Sequence, residues 1–174
     1  YGFLNGPPFA IFYALMGIPI AIAADRYNRV VIIALCIAIW SIMAALCGFA
    51  TSFAFLLIAR IGVAIGEAGC TPPANYFKPQ SRANALGIYA MGVTIGAALA
   101  NAFGGPIATN LTGANVEQWL QAQNLAALLP IDWSNVEGWR IAFVVIGAPG
   151  VVIALIVLFT IKEPLRGFSD APGM

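Results

Sequence analysis

The sequence predicts an all-α membrane protein with five transmembrane helices, on the basis of its composition and the length of its apolar stretches. Of its 174 residues, 61% are hydrophobic and only 9% are charged, whereas a soluble domain usually carries about 25% charged residues. So few charges cannot cover a water-facing surface, and the surface is therefore expected to face lipid. The apolar stretches reach the length of about 20 residues that a membrane helix needs, and they lack the alternating pattern of barrel strands.

The five apolar stretches define the predicted spans and the connections between them. The spans cover residues 3–24, 30–49, 53–74, 83–107 and 139–161. The third span contains two charged side chains, Arg60 and Glu67; the other charged residue within a span is Arg140, at the start of the fifth. The segment 108–138 is predicted to be an extracytoplasmic insert, because it carries acidic residues and no Lys or Arg.

Basic residues cluster on one side of the predicted membrane. These residues are Arg26, Arg29, Lys78, Arg82, Lys162 and Arg166. Under the positive-inside rule, the loops 25–29 and 75–82 and the C-terminal tail are therefore expected in the cytoplasm.

The insert 108–138 contains a stretch with helical spacing of apolar side chains. Val116, Trp119, Leu120 and Ala127 recur at that spacing. We expect a short helix that lies on the outer membrane surface and is ended by Pro130; a loosely ordered loop is the alternative.

Several functional classes are disfavoured by what the sequence contains. The net charge of +1 argues against a nucleic-acid partner. Cys36, Cys47 and Cys70 fall in apolar runs without metal-ligand spacing and are expected to be small buried hydrophobes. The chain has no histidine, so we expect no metal site and no cofactor. An intramembrane enzyme is disfavoured because Asp25 lies at an interface and Asp132 lies outside, which leaves no pair of acids at one depth.

Small residues form a stripe in two of the spans. Gly17 belongs to a stripe with Ala14, Ala21 and Ala24 in the first span, and Gly92, Gly96, Ala100 and Gly104 recur at four-residue spacing in the fourth. In lipid, helices associate where small side chains let their backbones approach. The stripes are therefore expected to face partner helices, and a sliding or gating role is compatible with that packing.

Arg60 and Glu67 are the two charged residues inside the third span. Seven residues are almost two helical turns, so the pair shares one helix face at about 10.5 Å along the axis. Both residues fall near the middle of the predicted span 53–74. A charge at that depth costs about 2.5–3.5 kcal/mol on insertion scales, so the shared face is expected to point at protein or at a water-filled cavity. Residues seven apart do not meet easily on a helix, so a direct salt bridge is not expected.

The chemistry of the two side chains predicts different roles. Burial opposes ionisation of a carboxyl and a nearby guanidinium favours it, which makes Glu67 a candidate for proton exchange near neutral pH. Arg60 stays protonated and presents five donors, which suit a phosphate or carboxylate head group. Candidate partners in the same cavity are Asn101, Tyr13 and Tyr89. The alternative is a structural polar network that stabilises the span.

The turn "GIPIAIAADRYNRVVII" (17–33) carries Asp25, Arg26 and Arg29 between two spans. This charge order can cap one helix end and form a salt bridge with a neighbour. The turn resembles the Gly-x-x-x-Asp-Arg-x-Gly-Arg-Arg signature between the second and third helices of the major facilitator superfamily. It departs from that signature at Ala21, Asn28 and Val30.

Longer stretches make the resemblance more specific. The segments "FYALMGIPIA", "RIGVAIGEAG", "RANALGIYAMG" and "GWRIAFVVIGAPG" are most similar to the Spinster-type branch, whose members carry Arg and Glu at the spacing of Arg60 and Glu67 in a cavity-lining fourth helix. The resemblance implies that the five spans match helices two to six of an incomplete six-helix N-terminal bundle. A first helix and a C-terminal six-helix half are then expected as partners.

The resemblance also implies a function. We expect a proton-coupled secondary transporter in the bacterial inner membrane, which moves an amphipathic lipid-like anion such as a lysophospholipid or sphingoid phosphate by symport or antiport. A carrier of small organic anions or sugar acids is the first alternative. A membrane scaffold that transports nothing is the second, although it gives no reason for two charges on one inward face.

Overall fold

The computed structural model describes residues 6–70, 77, 79–124 and 136–163. Within these ranges every regular element is an α-helix, which confirms the predicted all-α class. The helices are α1 (Pro7–Arg26), α2 (Arg29–Gly48), α3 (Phe53–Ala68), α4 (Pro79–Asn110), α5 (Gly113–Ala122), α6 (Gly138–Gly147) and α7 (Pro149–Thr160).

Within the described ranges, four helical segments are long and apolar enough to cross a membrane. They are Pro7–Arg26, Arg29–Gly48, Gln80–Asn110 and Gly138–Thr160. These segments correspond to the first, second, fourth and fifth predicted spans. The fourth is longer than the predicted 83–107 at both ends. The helix in the third predicted span, α3, has 16 residues and is the shortest of the five.

The start and the end of α3 are set by local hydrogen bonds. Ser52 precedes the helix, and its Oγ accepts a hydrogen bond from the backbone N–H of Phe55 at 3.2 Å, as a helix N-cap does. The helix ends at Ala68, earlier than the predicted residue 74. The N–H of Gly69 turns back to the carbonyl of Gly66 at 3.3 Å, and that of Cys70 to Glu67 at 3.1 Å, which tightens the last turn into a 3₁₀ pattern. Residues 71–74 of the predicted span lie outside the described ranges.

The last predicted span is divided into two helices at Ala148. α6 ends at Gly147 and α7 begins at Pro149. Proline lacks a backbone N–H and is favoured at the first position of a helix, so the division follows from the sequence. Together the two helices still cover Gly138–Thr160, close to the predicted 139–161.

The insert 108–138 contains the predicted short helix, α5, but this helix ends at a different residue from the one predicted. Its apolar face is partly packed, because Leu120 is 5% exposed while Trp119 is 58% exposed. The prediction that Pro130 ends the helix is wrong: α5 ends at Ala122, and Asn124 follows in the left-handed conformation with φ 55°, which stops a helix. Ala127 and Pro130 lie outside the described residues.

The centre of the bundle is α2, which packs against α3, α6 and α7. α1 packs mainly on α3, and α4 packs on α6. The most deeply buried side chains are small: Cys47, Ala59 and Val63 form a core cluster, and larger residues including Trp40, Met43 and Phe143 pack around it. Cys36 and Cys47 are buried, as predicted, and Cys70 is half-buried.

Candidate functional site

Two glycines of α3 fix how that helix sits against α2. A Cβ at Gly62 would lie 2.5 Å from Cγ of Met43, and one at Gly66 would lie 2.5 Å from the backbone nitrogen of Trp40. Such close backbone approach is the packing mode of small residues in membrane helices. The face of α3 that carries Gly62 and Gly66 is thereby buried against α2, and the direction of the remaining faces is set.

Arg60 is directed by this packing into a cavity between α3 and α6. The cavity has a volume of about 300 Å³. Its wall is largely apolar and is formed by Trp40, Ala44, Arg60, Val63, Ala108, Trp139, Ala142, Phe143 and Ile146. Cζ of Arg60 lies 5.1 Å from the centroid of the Phe143 ring, within the range of a cation–π contact. A guanidinium in an aromatic, apolar cavity can bind the charged end of an anionic molecule whose apolar part contacts the walls.

An aromatic chain continues from Phe143 to the start of α6. The rings of Trp139 and Phe143 meet edge to face with centroids 6.1 Å apart, and the guanidinium of Arg140 lies 4.6 Å from the Trp139 ring centroid. Trp139 also donates a hydrogen bond of 2.5 Å from Nε1 to Oε2 of Glu137. The Phe143 ring therefore contacts both the core cluster and Trp139.

Arg140 fastens the start of α6 to the end of α2. Its guanidinium donates to the carbonyl oxygens of Gly48 at 3.2 Å and Ala50 at 2.5 Å, and its Nε lies 3.7 Å from the carboxylate of Glu137. The carbonyl groups at the end of a helix need such donors. Neither Arg140 nor Phe143 is among the site residues predicted from the sequence. The four-residue spacing of Trp139 and Phe143 was a visible signal for their contact, but the partners on α2 and α3 cannot be derived from that spacing.

Glu67 lies at the other end of α3 and is exposed. The expectation that it sits near the middle of a span is wrong for the helix observed, because α3 ends one residue after it. No ion pair joins it to Arg60 among the salt bridges of the described residues, in agreement with the absence of a salt bridge expected from the spacing. Arg60 instead engages Phe143, and Glu67 is left accessible.

The other predicted cavity residues are not brought to Arg60 within the described part of the chain. Asn101 is exposed on α4, and its Nδ2 donates to the carbonyl oxygen of Ala97 at 2.9 Å. Tyr13 is 38% exposed and Tyr89 is 40% exposed; the Tyr13 ring stacks on Phe9 with centroids 6.3 Å apart. None of the three lines the cavity that holds Arg60, so their role in substrate contact stays a prediction.

The motif of Asp25, Arg26 and Arg29 forms a compact turn between α1 and α2. Arg29 is only 8% exposed; its Nε donates to the carbonyl of Ala24 at 3.3 Å, and its guanidinium lies 4.0 Å from Asp25. Asn28, which stands where the family signature has glycine, accepts a hydrogen bond from the N–H of Val31 at 3.0 Å and so caps α2. Arg26 is exposed in the last turn of α1.

The turn also contacts the end of the last span. The backbone N–H of Arg29 donates to Oε1 of Glu163 at 3.3 Å. A carboxylate at a helix N-terminus is favoured by the free N–H groups and the helix dipole. The turn therefore connects α1 and α2 to the segment that follows α7.

The glycine stripes have open space beside them in the described part of the chain. A Cβ at Gly17, Gly92, Gly96 or Gly104 would have no atom within 4 Å. Their expected contact with partner helices thus stays a prediction. The glycines that are in close contact are Gly48, Gly62, Gly66, Gly69, Gly138, Gly147 and Gly150.

These features together define an integral membrane helical bundle with a single guanidinium in an aromatic cavity and a basic–acidic turn at one end. The sequence model of the Major Facilitator Superfamily matches residues 4–172. The chain belongs to this family, whose members are generally not enzymes. Among its described residues, no cluster of three His, Cys, Asp or Glu could hold a metal ion.

Within the family, the chain is Spinster-like. It is 59% identical to a structure described as that of a bacterial homologue of the human lysosomal transporter Spinster, inward-facing and occupied, with a TM-score of 0.88 over 97% of this chain and 37% of that one. An MFS-type efflux pump of Mycolicibacterium smegmatis (strain ATCC 700084 / mc(2)155) is 36% identical over 165 residues, 92% of this chain and 32% of the pump. A probable sphingolipid transporter, spinster homolog 1 of Arabidopsis thaliana, is 30% identical over 154 residues, 84% of this chain and 26% of that protein. The chain thus spans about a third of the length of these relatives.

Proposed function

We propose that this chain is part of a secondary transporter that moves an amphipathic, lipid-like anion across the bacterial inner membrane by alternating access. A single observation carries the proposal: the guanidinium of Arg60 lies in an apolar, aromatic-walled cavity inside the bundle. A guanidinium within a membrane span is costly, and the planar fork of Arg suits phosphate or carboxylate. The similarity to Spinster-type proteins favours a lysophospholipid or sphingoid phosphate.

The cavity supports an amphipathic substrate through the contrast between its one charge and its walls. Arg60 would bind the anionic head group, while Trp40, Phe143 and neighbouring aliphatic residues would contact the apolar part. A volume of about 300 Å³ is at the lower end of the range for small-molecule sites, so it would hold a head group with the first part of a tail. A small organic anion or a sugar acid would use the same guanidinium and is the second candidate.

Glu67 is the proposed proton carrier. It is exposed in the last turn of α3 and has no ion pair with Arg60. The C-terminal end of a helix carries partial negative charge, so a carboxyl group there can take up a proton. Separate positions for the anion and the proton on one helix would let both bias the same conformational change.

Asp25, Arg26 and Arg29 are proposed to hold the cytoplasmic ends of α1 and α2 together during that change. The support is the turn itself, with Arg29 buried against Ala24 and its N–H bonded to Glu163. In this arrangement the loops 25–29 and 75–82 and the tail are cytoplasmic. The five spans would be helices two to six of an N-terminal bundle that rocks against a C-terminal half.

Flux in vesicles tests the proposal. The complete protein that contains this chain would be reconstituted in liposomes, with fluorescent lysophosphatidate and radiolabelled glucuronate as separate probes. Saturable uptake of lysophosphatidate, faster with an imposed pH gradient, is expected. Saturable uptake of glucuronate alone would select the second candidate. Uptake of neither probe above protein-free vesicles would contradict both and favour a scaffold.

A further inference from the structure

We propose that Phe143 is a positioning residue for Arg60: its ring holds the guanidinium in the orientation in which it binds an anionic substrate. This inference rests on the proposed function and adds a residue on a different helix to the site. Cζ of Arg60 lies 5.1 Å from the ring centroid, and both side chains line the same cavity. Phe143 therefore acts on substrate through Arg60.

The environment of Arg60 explains why a positioning group is needed. An arginine has many rotamers, and ordering it costs conformational entropy. No salt bridge or side-chain hydrogen bond of Arg60 is present within the described residues. The contact with Phe143 is thus the principal polar interaction that restricts the guanidinium there, and it leaves all five N–H donors free for a ligand. A carboxylate partner in the same place would occupy those donors.

The environment of Phe143 explains why the ring can do this. The ring packs against the core cluster of Cys47, Ala59 and Val63. Trp139, one turn earlier on α6, meets the ring edge to face at 6.1 Å. Trp139 is in turn covered by Arg140, whose guanidinium is bonded to the carbonyls of Gly48 and Ala50. The ring is therefore rigidly placed relative to α2.

The contact places the ring level with Arg60 along α3. Phe143 packs against the core cluster that includes Ala59 and Val63, and these two residues flank Arg60 in the sequence. Glu67 lies in the last turn of the same helix. The guanidinium and the carboxyl proposed to carry the proton thus occupy different positions along α3.

The test changes the electronic character of the ring without changing its size. In the complete protein, Phe143 is replaced by phenylalanine with one, two or three ring fluorines, which progressively weaken the negative face of the ring. The half-saturating concentration of lysophosphatidate is expected to rise stepwise, by about two- to thirtyfold over the series, with the maximal rate little changed. Phe143→Trp should preserve the affinity, and Phe143→Leu should lower it.

Two controls separate positioning from packing and from the proposed function. In an Arg60→Leu background the fluorine series should have no further effect. The ¹⁹F resonance of singly fluorinated Phe143 should shift on Arg60→Leu but not on Arg82→Leu, and this readout needs no transport. Failure of the wild type to transport contradicts the proposed function, while the resonance still reports the contact. An unchanged half-saturating concentration through the series in a transporting protein, or an unshifted resonance, overturns the role of Phe143.

Discussion

The backbone N–H of Arg29 donates a hydrogen bond of 3.3 Å to Oε1 of Glu163, across a separation of 134 residues. The bond joins the first turn of α2 to the segment after α7, which is half-buried at Glu163. The carboxylate lies at the N-terminus of α2, where the helix dipole favours a negative charge. This relationship closes the bundle at its basic end.

Replacing Glu163 with alanine should loosen that closure. Loss of a hydrogen bond to a charged acceptor is expected to lower the free energy of unfolding by about 1–2 kcal/mol, seen as a fall of about 2–8 °C in the melting temperature of the detergent-solubilised protein. Glu117→Ala is the matched control, because Glu117 is bonded only to the exposed Gln121 among the hydrogen bonds described for it. Equal melting temperatures for the two variants would argue against a stabilising hydrogen bond between Arg29 and Glu163.

Replacing Arg60 with lysine should weaken binding of anionic probes. Lysine keeps the charge but loses the planar fork and the stacking on Phe143, so the half-saturating concentration of lysophosphatidate is expected to rise about tenfold or more. Arg82→Lys, near the start of α4 and outside the cavity that holds Arg60, serves as the control. Unaltered uptake kinetics in the Arg60 variant would remove this guanidinium from the substrate site.

Replacing Glu67 with glutamine should separate substrate exchange from proton coupling. Glutamine mimics the protonated carboxyl but cannot release a proton, so accumulation driven by a pH gradient should be abolished while exchange of labelled for unlabelled substrate continues. Exchange and accumulation would be measured in the same vesicle preparation, with Glu117→Gln as the control. Undiminished gradient-driven accumulation would count decisively against the coupling role.

Replacing Gly66 with alanine should disturb the α2–α3 interface. The new Cβ would lie 2.5 Å from the nitrogen of Trp40 and 2.7 Å from the carbonyl oxygen of Cys36; both are backbone atoms of α2, so the helices must separate. Overpacking of this kind costs about 1–3 kcal/mol. Gly87→Ala is the control, since a Cβ there meets nothing within 4 Å and alanine favours helix by up to about 1 kcal/mol. The comparison is made by thermal unfolding, and a Gly66 variant as stable as the control would contradict the interface.

Features that depend on neighbouring residues could be predicted from the sequence. The long apolar runs gave four of the membrane-length helices nearly within their bounds, because length and composition alone decide which segments suit a bilayer. The short helix in the insert followed from its apolar spacing. The absence of an Arg60–Glu67 ion pair followed from helix geometry alone.

Features that depend on residues far apart in the sequence could not be predicted from the sequence. The contact between Arg60 and Phe143 requires knowledge of which face of α6 is opposite α3, and spacing along either helix does not contain it. The stripe of Gly92, Gly96 and Gly104 was the stronger regular pattern, yet these glycines have open space beside them, whereas Gly62 and Gly66 of α3 make close contacts with α2. The early end of α3 depends on two backbone hydrogen bonds after Glu67, which no composition rule anticipates.

The tight fit of Gly62 and Gly66 against α2 has a mechanical consequence. Helices that pack through backbone atoms cannot slide past one another without losing contact. In any rocking motion α2 and α3 would therefore move as one rigid body. The spans formed by α1 and by α4 have no buried residue in their apolar windows. We therefore expect α1 and α4 to be the helices that bend and slide. The aromatic cavity beside Arg60 would keep its shape while its entrance changes.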